Sequence, residues 1–218
     1  MDAACFEIAG QAHARLRTLL RGRRYFNVRA LVRLYKSHVL PFVKYATPAI
    51  HHAPAFFLAQ IDRVQETFLE EVGLSAKAAL FDHGLAPLKS RRDIAMLGLL
   101  QRVVSGKAPP HFSDVVRRES RPIFPRCLRS PGSRHSRQLQ EPIGGSHSRM
   151  MERSVLGIIY TYNLLPENVV GSGSISTFQR KLQNGLKQAA ELDTGDWQLL
   201  FRTGIKQMTV TSFQALFG

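Results

Sequence analysis

The clearest structural signal in the chain runs from Pro54 to Gly73 and reads PAFFLAQIDRVQETFLEEVG. Its apolar residues follow steps of three and four, the spacing that places side chains on one face of an α-helix. These residues are Leu58, Ile61, Val64, Phe68 and Val72. A proline at the start and a glycine at the end are typical helix boundaries. The stretch therefore predicts an amphipathic helix with one buried face.

Similar patterns on both sides of this stretch predict further helices. They cover residues 4–21, Ser75–Gly84 and Pro87–Gly106, and a later helix is capped by Ser174 or Ser176. Another helix begins after Asn27; we expect a kink or break at Pro41, and the continuation should end at Pro48. For residues 155–162 the apolar run fits either a short strand or a buried helix. We expect an all-α fold, built as an irregular helical bundle.

Composition changes abruptly between residues 117 and 150. Arg, Ser, Pro and Gly dominate there and apolar periodicity disappears, so too little apolar surface is available to offset the entropy of ordering. We predict a helical domain over residues 1–116, a basic flexible linker over residues 117–150 and a small, mostly helical unit over residues 151–218.

Positive charge is concentrated in two zones of this 218-residue chain, whose net charge is +14. Residues 1–50 hold nine Lys and Arg against two acidic residues, and residues 117–153 hold nine against three. Such an excess favours polyanions, phosphate backbones first and anionic membrane surfaces second. A directed binding face is expected to produce this kind of asymmetry.

The first basic zone combines cations with aromatic side chains. Tyr25 and Phe26 directly follow a group of arginines, a composition suited to phosphate contact and base stacking. On the next helix three cations at i, i+4 and i+7 fall within an arc of roughly 60°. The predicted nucleic-acid contacts are Arg21, Arg23, Arg24, Arg29, Arg33 and Lys36. The competing interpretation is a solvated helix face.

Motifs for catalysis and metal binding are missing from the sequence. It contains no adjacent Asp pair, no glycine-rich phosphate loop, no H-E-x-x-H and no G-x-S-x-G. The neighbours His51 and His52 would point about 100° apart on a helix, which makes them poor joint ligands. We therefore expect no catalytic residues, no metal, no cofactor and no small-molecule substrate.

The chain also lacks the features of a membrane or disulfide-stabilised protein. No run approaches the roughly 18 apolar residues of a membrane span. Its two cysteines, Cys5 and Cys127, cannot form a disulfide framework, so reduced thiols in an intracellular protein are expected.

Several short segments, taken in order, resemble a known family. The run from Leu34 to Pro41, LYKSHVLP, followed by VKYA from Val43, is similar to the segment just after the palm in reverse transcriptases of non-LTR (LINE-type) retrotransposons. The resemblance continues in six further segments: Ile61–Gln65, Leu85–Leu88, Arg91–Asp93, Ala95–Leu100, Tyr162–Pro166 and Phe178–Leu182. It covers most of residues 10–190, and Tyr162 stands where the family usually has Trp.

This resemblance implies a thumb-like helical region with a C-terminal extension. In that family the thumb clamps the template–primer duplex, and the polymerase carboxylates belong to the palm, which would precede residue 1. The implied function is non-catalytic nucleic-acid binding in the nucleus, with a template–primer duplex or RNA and a polymerase palm domain as partners. The alternative is a helical protein-interaction module, or a degenerate retroelement remnant with no independent activity.

Overall fold

The computed structural model describes residues 2–45, 47–119, 135–141, 148–194, 196–202 and 208–218. These residues form helices and helical turns, and their only extended pairing is one antiparallel bridge between Arg118 and Leu139. The prediction of an all-α fold is confirmed. Within the described part of the chain, no helix combines the length and the apolar character needed to cross a membrane.

Two compact units make up the chain, unit 1 (Met1–Arg92) and unit 2 (Asp93–Gly218). The helices that begin in unit 1 are α1 (Asp2–Arg21), α2 (Val28–Leu34), α3 (Leu40–Tyr45), α4 (Thr47–Ile50), α5 (Ala55–Val72), α6 (Ala76–His83) and α7 (Leu88–Val104). Those of unit 2 are α8 (His111–Val115), α9 (Ser148–Arg153), α10 (Ile159–Leu164), α11 (Glu167–Val170), α12 (Ile175–Glu191) and α13 (Val210–Ala215). The division falls inside α7, whereas the sequence suggested domain ends at residues 116 and 150. The uninterrupted periodicity of α7 carries no sign of this division.

Helix α5 forms the centre of unit 1 and packs most extensively against α1. Leu58, Ile61, Val64 and Phe68 are buried as their spacing predicts, and Val72 is half-buried. The helix ends at Gly73, whose φ of 69° is left-handed, a conformation that favours glycine. The buried face of α5 therefore organises the core, as the sequence predicts.

The ring of Tyr35 lies in the same core and stacks on Phe68 with 4.3 Å between ring centroids. Its hydroxyl is buried and has no hydrogen-bond partner among the described residues. Burial raises the pKa of Tyr35 well above its usual value, so the phenol stays neutral. An unsatisfied buried hydroxyl destabilises a fold, which leads to a prediction for its removal.

Replacing Tyr35 by Phe should increase the free energy of unfolding by about 1 kcal/mol, because the change removes only the unsatisfied hydroxyl. The matched control is Tyr162→Phe in unit 2, where the hydroxyl donates to Gln101 Oε1 at 2.7 Å. That change should lower the free energy of unfolding by about 1–2 kcal/mol. Urea unfolding of both variants measures the difference, and a loss of stability on Tyr35→Phe would contradict the prediction.

Between α2 and α3 the backbone widens into a π-helical turn, Tyr35–Val39. The amide of Leu40 donates to Tyr35 O, five residues back, just before Pro41. Proline has no amide proton and crowds the carbonyl four residues before it, so a wider turn relieves this position. The sequence predicted a kink or break at Pro41, and the structure resolves it as this turn. Pro48, expected to end a helix, instead lies in the first turn of α4.

Polar contacts fasten the connection from α6 to α7 within unit 1. Arg91 donates through Nε to Ala86 O at 3.0 Å and through Nη2 to Gly84 O at 2.8 Å. The side-chain amide of Gln65 donates through Nε2 to Ala86 O at 3.1 Å. Arg92 forms a bidentate pair with Asp62, at 2.6 and 2.8 Å. These bonds tie a connecting segment of the chain to α5.

Unit 2 contains a buried hydrogen-bond network that reaches into the predicted linker. Asn163 on α10 accepts a hydrogen bond from Leu139 N at 2.9 Å and donates one to Leu139 O at 2.8 Å. Buried His135 pairs through Nε2 with Tyr162 O at 3.0 Å. Described residues 117–119 and 135–141 of the predicted flexible linker are therefore held by hydrogen bonds, and residues 148–150 of the same stretch belong to α9. Residues 120–134 and 142–147 lie outside the described part of the chain.

The remaining ambiguities of the sequence are resolved as helical structure. The run after Ser154 forms a 3-10 turn, Val155–Ile158, that continues into α10, so the strand interpretation was wrong. Of the two candidate caps for α12, Ser174 accepts from Thr177 N at 3.1 Å. The C-terminal end, which has no clear sequence pattern, forms α13 and buries Phe213.

Candidate nucleic-acid interface

The predicted contact residues begin where α1 ends and α2 starts. A 3-10 turn, Arg23–Tyr25, joins the two helices, and Asn27 caps α2 by accepting from Ala30 N at 2.9 Å. Because the side chain of Asn27 satisfies an orphan amide of the first turn, the start of α2 is defined by local sequence. Leu31 and Val32 form the buried face of α2, and the polar face of this helix is directed toward solvent.

Four of the six predicted residues are exposed and form no ion pair with a described carboxylate. They are Arg21, Arg24, Arg29 and Arg33. We call these four residues the basic corner. Arg29 and Arg33 are one turn apart on α2, separated by about 6 Å along the helix axis. Their guanidinium groups therefore remain available to an external anion.

The other two predicted residues are engaged within unit 1. Arg23 forms an ion pair with Glu71 on α5, at a partly exposed position where such pairs contribute little stability. Lys36 is half-buried and its ammonium group donates to His83 O at the end of α6. Burial, and then the positive charge of Arg91, lower the pKa of Lys36. Lys36 also lies within the π-helical turn, whereas the predicted alignment of Lys36 with Arg29 and Arg33 requires a regular α-helix.

The aromatic side chains between the two helices differ in exposure. Tyr25 is 86% exposed, while Phe26 is 48% exposed and its ring approaches Gly22. A β-carbon added at Gly22 would lie 3.3 Å from this ring, so a small residue there lets the ring fold back. Tyr25 is consequently the aromatic face beside the basic corner that is free to stack on a base.

Two cations that the sequence did not single out extend this region along α1. Arg17 is exposed and precedes Arg21 by one helical turn. Arg15 lies over the ring of Phe42 on α3, 4.2 Å from its centroid, which fixes its position by a cation–π contact. The i, i+4 spacing of Arg17 and Arg21 was the available signal. The contact between Arg15 and Phe42 depends on tertiary packing.

Titratable residues outside the basic corner differ in their exposure. Asp193 and Asp196 are both exposed beside the end of α12. His51 is buried and His52 exposed, so the two rings do not share one environment. Among the described residues, no group of three or more His, Cys, Asp or Glu side chains is arranged to hold a metal ion.

Comparison with known proteins adds no family to this description. No family model, curated protein or solved structure matches the chain. The similarity to retrotransposon reverse transcriptases therefore stays a prediction from sequence. The exposure and charge of the basic corner carry the functional argument instead.

Proposed function

We propose that unit 1 binds nucleic acid through the basic corner, as a non-catalytic, thumb-like segment of a retrotransposon-type reverse transcriptase. The observation that carries this proposal is the exposure of four arginines that have no carboxylate partner among the described residues, beside an aromatic ring that is 86% exposed. Guanidinium groups form bidentate contacts with phosphate oxygens, and exposed aromatic rings stack on bases. The ligand is a template–primer duplex or RNA, the location is the nucleus, and a polymerase palm domain is the protein partner.

The proposal assigns different roles to the six cations singled out in the sequence. The basic corner contacts phosphates directly. Arg23 and Lys36 are engaged by Glu71 and His83 O, so their charged groups already have partners within unit 1. Contacts between arginines and phosphates carry no base specificity, so the expected binding is independent of the nucleotide sequence and sensitive to salt concentration.

Replacing Arg21, Arg24, Arg29 and Arg33 together by Gln should flatten the plot of log affinity against log salt concentration. Each phosphate contact contributes close to one unit of slope, so the expected change is up to about four units. Fluorescence anisotropy of a labelled RNA–DNA duplex, titrated with the full chain at several salt concentrations, gives this slope. An unchanged slope would overturn the assignment of the basic corner.

The matched control removes the same charge from unit 2. Arg102, Arg153 and Arg180 are exposed, Lys187 is half-buried, and none of the four forms a side-chain hydrogen bond or ion pair with another described residue. Their replacement by Gln should change the slope by less than half as much. If both variants flatten the slope equally, total charge rather than the basic corner explains binding.

An interaction module is the second candidate, and a cluster of partly exposed rings favours it. Phe6 on α1 is 51% exposed and meets Phe57 edge to face at 5.3 Å, while the neighbouring Phe56 is 64% exposed. Exposed apolar surface of this kind is typical of protein contacts. In the salt series above, self-association that persists at high salt, without duplex binding, would favour this candidate over the first.

A further inference from the structure

Unit 2 contains a cleft of about 740 Å³ that the nucleic-acid proposal does not use. Its walls include the end of α7 and the turn after it, a segment after α8, and the glycine-containing connection from α11 to α12. The volume is in the range of sites that enclose small molecules. No sequence pattern indicated this site, because two of its cations lie in the segment predicted to be a flexible linker.

Three cations line the cleft, and none of its described lining residues is acidic. They are Lys107 after α7, Arg118, and Arg137. Positive charge gathered in a concave site focuses its field on an anion more strongly than the same charge on a convex surface. The chemistry of the lining is therefore that of an anion site.

Both arginines are held in position by backbone carbonyls. Arg118 donates to Val104 O at the end of α7, and Arg137 donates through Nη1 to Val170 O at 3.0 Å at the end of α11. A guanidinium has five N–H groups, so one such bond leaves further donors for a ligand. The carbonyl bonds restrict the side chains before a ligand arrives, which lowers the entropic cost of binding.

Buried contacts hold the wall behind Arg137. Val170 O also accepts from Gln101 Nε2 at 2.9 Å, and Gln101 Oε1 accepts from the hydroxyl of Tyr162 at 2.7 Å. Glu167, whose carboxylate interacts electrostatically with Arg137, accepts hydrogen bonds from Ser136 N at 2.7 Å and Ser136 Oγ at 3.1 Å. The Ser136 amide is also the main reason that the pKa of Glu167 lies below its usual value.

Small residues leave room beside the cations. A β-carbon added at Gly106 or Gly173 would meet no atom within 4 Å, so the backbone there borders open space. Ser105 and Ser113 add hydroxyl groups to the lining, while the hydroxyl of Ser172 donates to Val169 O at 2.6 Å. Guanidinium, ammonium and hydroxyl donors around an open cleft match the several acceptor oxygens of a phosphate group.

We propose that this cleft binds a phosphorylated small molecule through Lys107, Arg118 and Arg137. The site is in unit 2, so it is independent of the basic corner. Its concave shape distinguishes the ligand from a duplex held on an exposed helix face. The two arginines bind phosphate oxygens from fixed positions, and Lys107, in the turn after α7, contributes the third positive charge.

Isothermal titration of the full chain with inorganic pyrophosphate tests the site. Saturable binding with one molecule per chain is expected, and Lys107→Gln should weaken it by about tenfold, because one charge-assisted contact is lost. Lys107 is exposed and its side chain forms no hydrogen bond with another described residue, so this variant should fold normally, which circular dichroism checks. The control Lys187→Gln removes the same charge outside the cleft and should leave the affinity unchanged.

Two outcomes would overturn this proposal without touching the first. Equal weakening by Lys107→Gln and Lys187→Gln would show that net charge alone attracts pyrophosphate. Tighter binding of a short single-stranded oligonucleotide than of pyrophosphate, lost on Lys107→Gln, would assign the cleft to a nucleic-acid strand instead. The variant with the four basic-corner arginines replaced should bind pyrophosphate as the unmodified chain does, so the two proposals fail separately.

Discussion

Replacing Phe68 by Ala should lower the free energy of unfolding of unit 1 by about 4 kcal/mol. The side chain is fully buried on α5, and its ring stacks on Tyr35 with an interplanar angle of 14°. Its truncation removes buried apolar surface and leaves a cavity in the core, and changes of this kind typically cost about 3–5 kcal/mol. Loss of this ring also removes packing beneath the π-helical turn that follows α2.

Helix α5 provides its own control for this prediction. Phe56 is 64% exposed near the start of the same helix, so Phe56→Ala should change the free energy of unfolding by no more than about 0.5 kcal/mol. Hydrogen exchange of the α5 amides measures unit 1, while fluorescence of Trp197, the single tryptophan, reports on unit 2.

If Phe68→Ala prevents folding of unit 1, the milder Phe68→Leu keeps the prediction measurable, with a smaller loss in the same direction. Equal protection of the α5 amides in Phe68→Ala and Phe56→Ala would contradict the position of the core.

Replacing Asp62 by Ala should lower the free energy of unfolding of unit 1 by about 3 kcal/mol. The side chains of Asp62 and Arg92 are only 17% and 8% exposed, and two hydrogen bonds join them. Removing the carboxylate leaves a guanidinium that is largely withdrawn from water without its counter-charge. Urea unfolding of the full chain, with hydrogen exchange of the α5 and α7 amides, measures the loss.

A double replacement separates the unpaired charge from the loss of packing. Asp62→Leu with Arg92→Leu removes both charges at once, and most of the lost stability should return, because no charge stays buried alone. A loss below about 0.5 kcal/mol in Asp62→Ala would mean that the pair behaves as an exposed ion pair. A double variant as unstable as the single one would also contradict the proposed cause.

Helix boundaries in this chain were predictable where a side chain acts on its own backbone. Asn27, Ser75 and Ser174 each accept a hydrogen bond from the amide three residues later, and each precedes a helix found at the expected place. Gly84 ends α6 with a φ of 57°, a left-handed conformation that glycine adopts without steric cost. Such bonds and dihedral preferences span a few residues and are therefore readable from sequence.

The hydrogen bonds of residues 117–119 and 135–141 were not predictable by the same means. The composition of this stretch indicates no apolar face. Asn163, however, exchanges two hydrogen bonds with the backbone of Leu139 across 24 residues of sequence. The side-chain amide of Asn163 thus satisfies both backbone groups of Leu139, which in regular secondary structure would be satisfied by other backbone groups. Hydrophobic periodicity detects only regular secondary structure, so it could not predict these bonds.

The helical stretch from Pro54 to Gly73, the capped helices around it and the excess of positive charge follow from residue spacing and composition alone. Which cations remain available to a ligand depends on the fold. Lys36 shares a helical spacing with Arg29 and Arg33, yet its ammonium group donates to His83 O, 47 residues away. The physical reason is range: helix periodicity and capping act over one or two turns, whereas a charged group is neutralised or exposed by whatever the folded chain brings beside it.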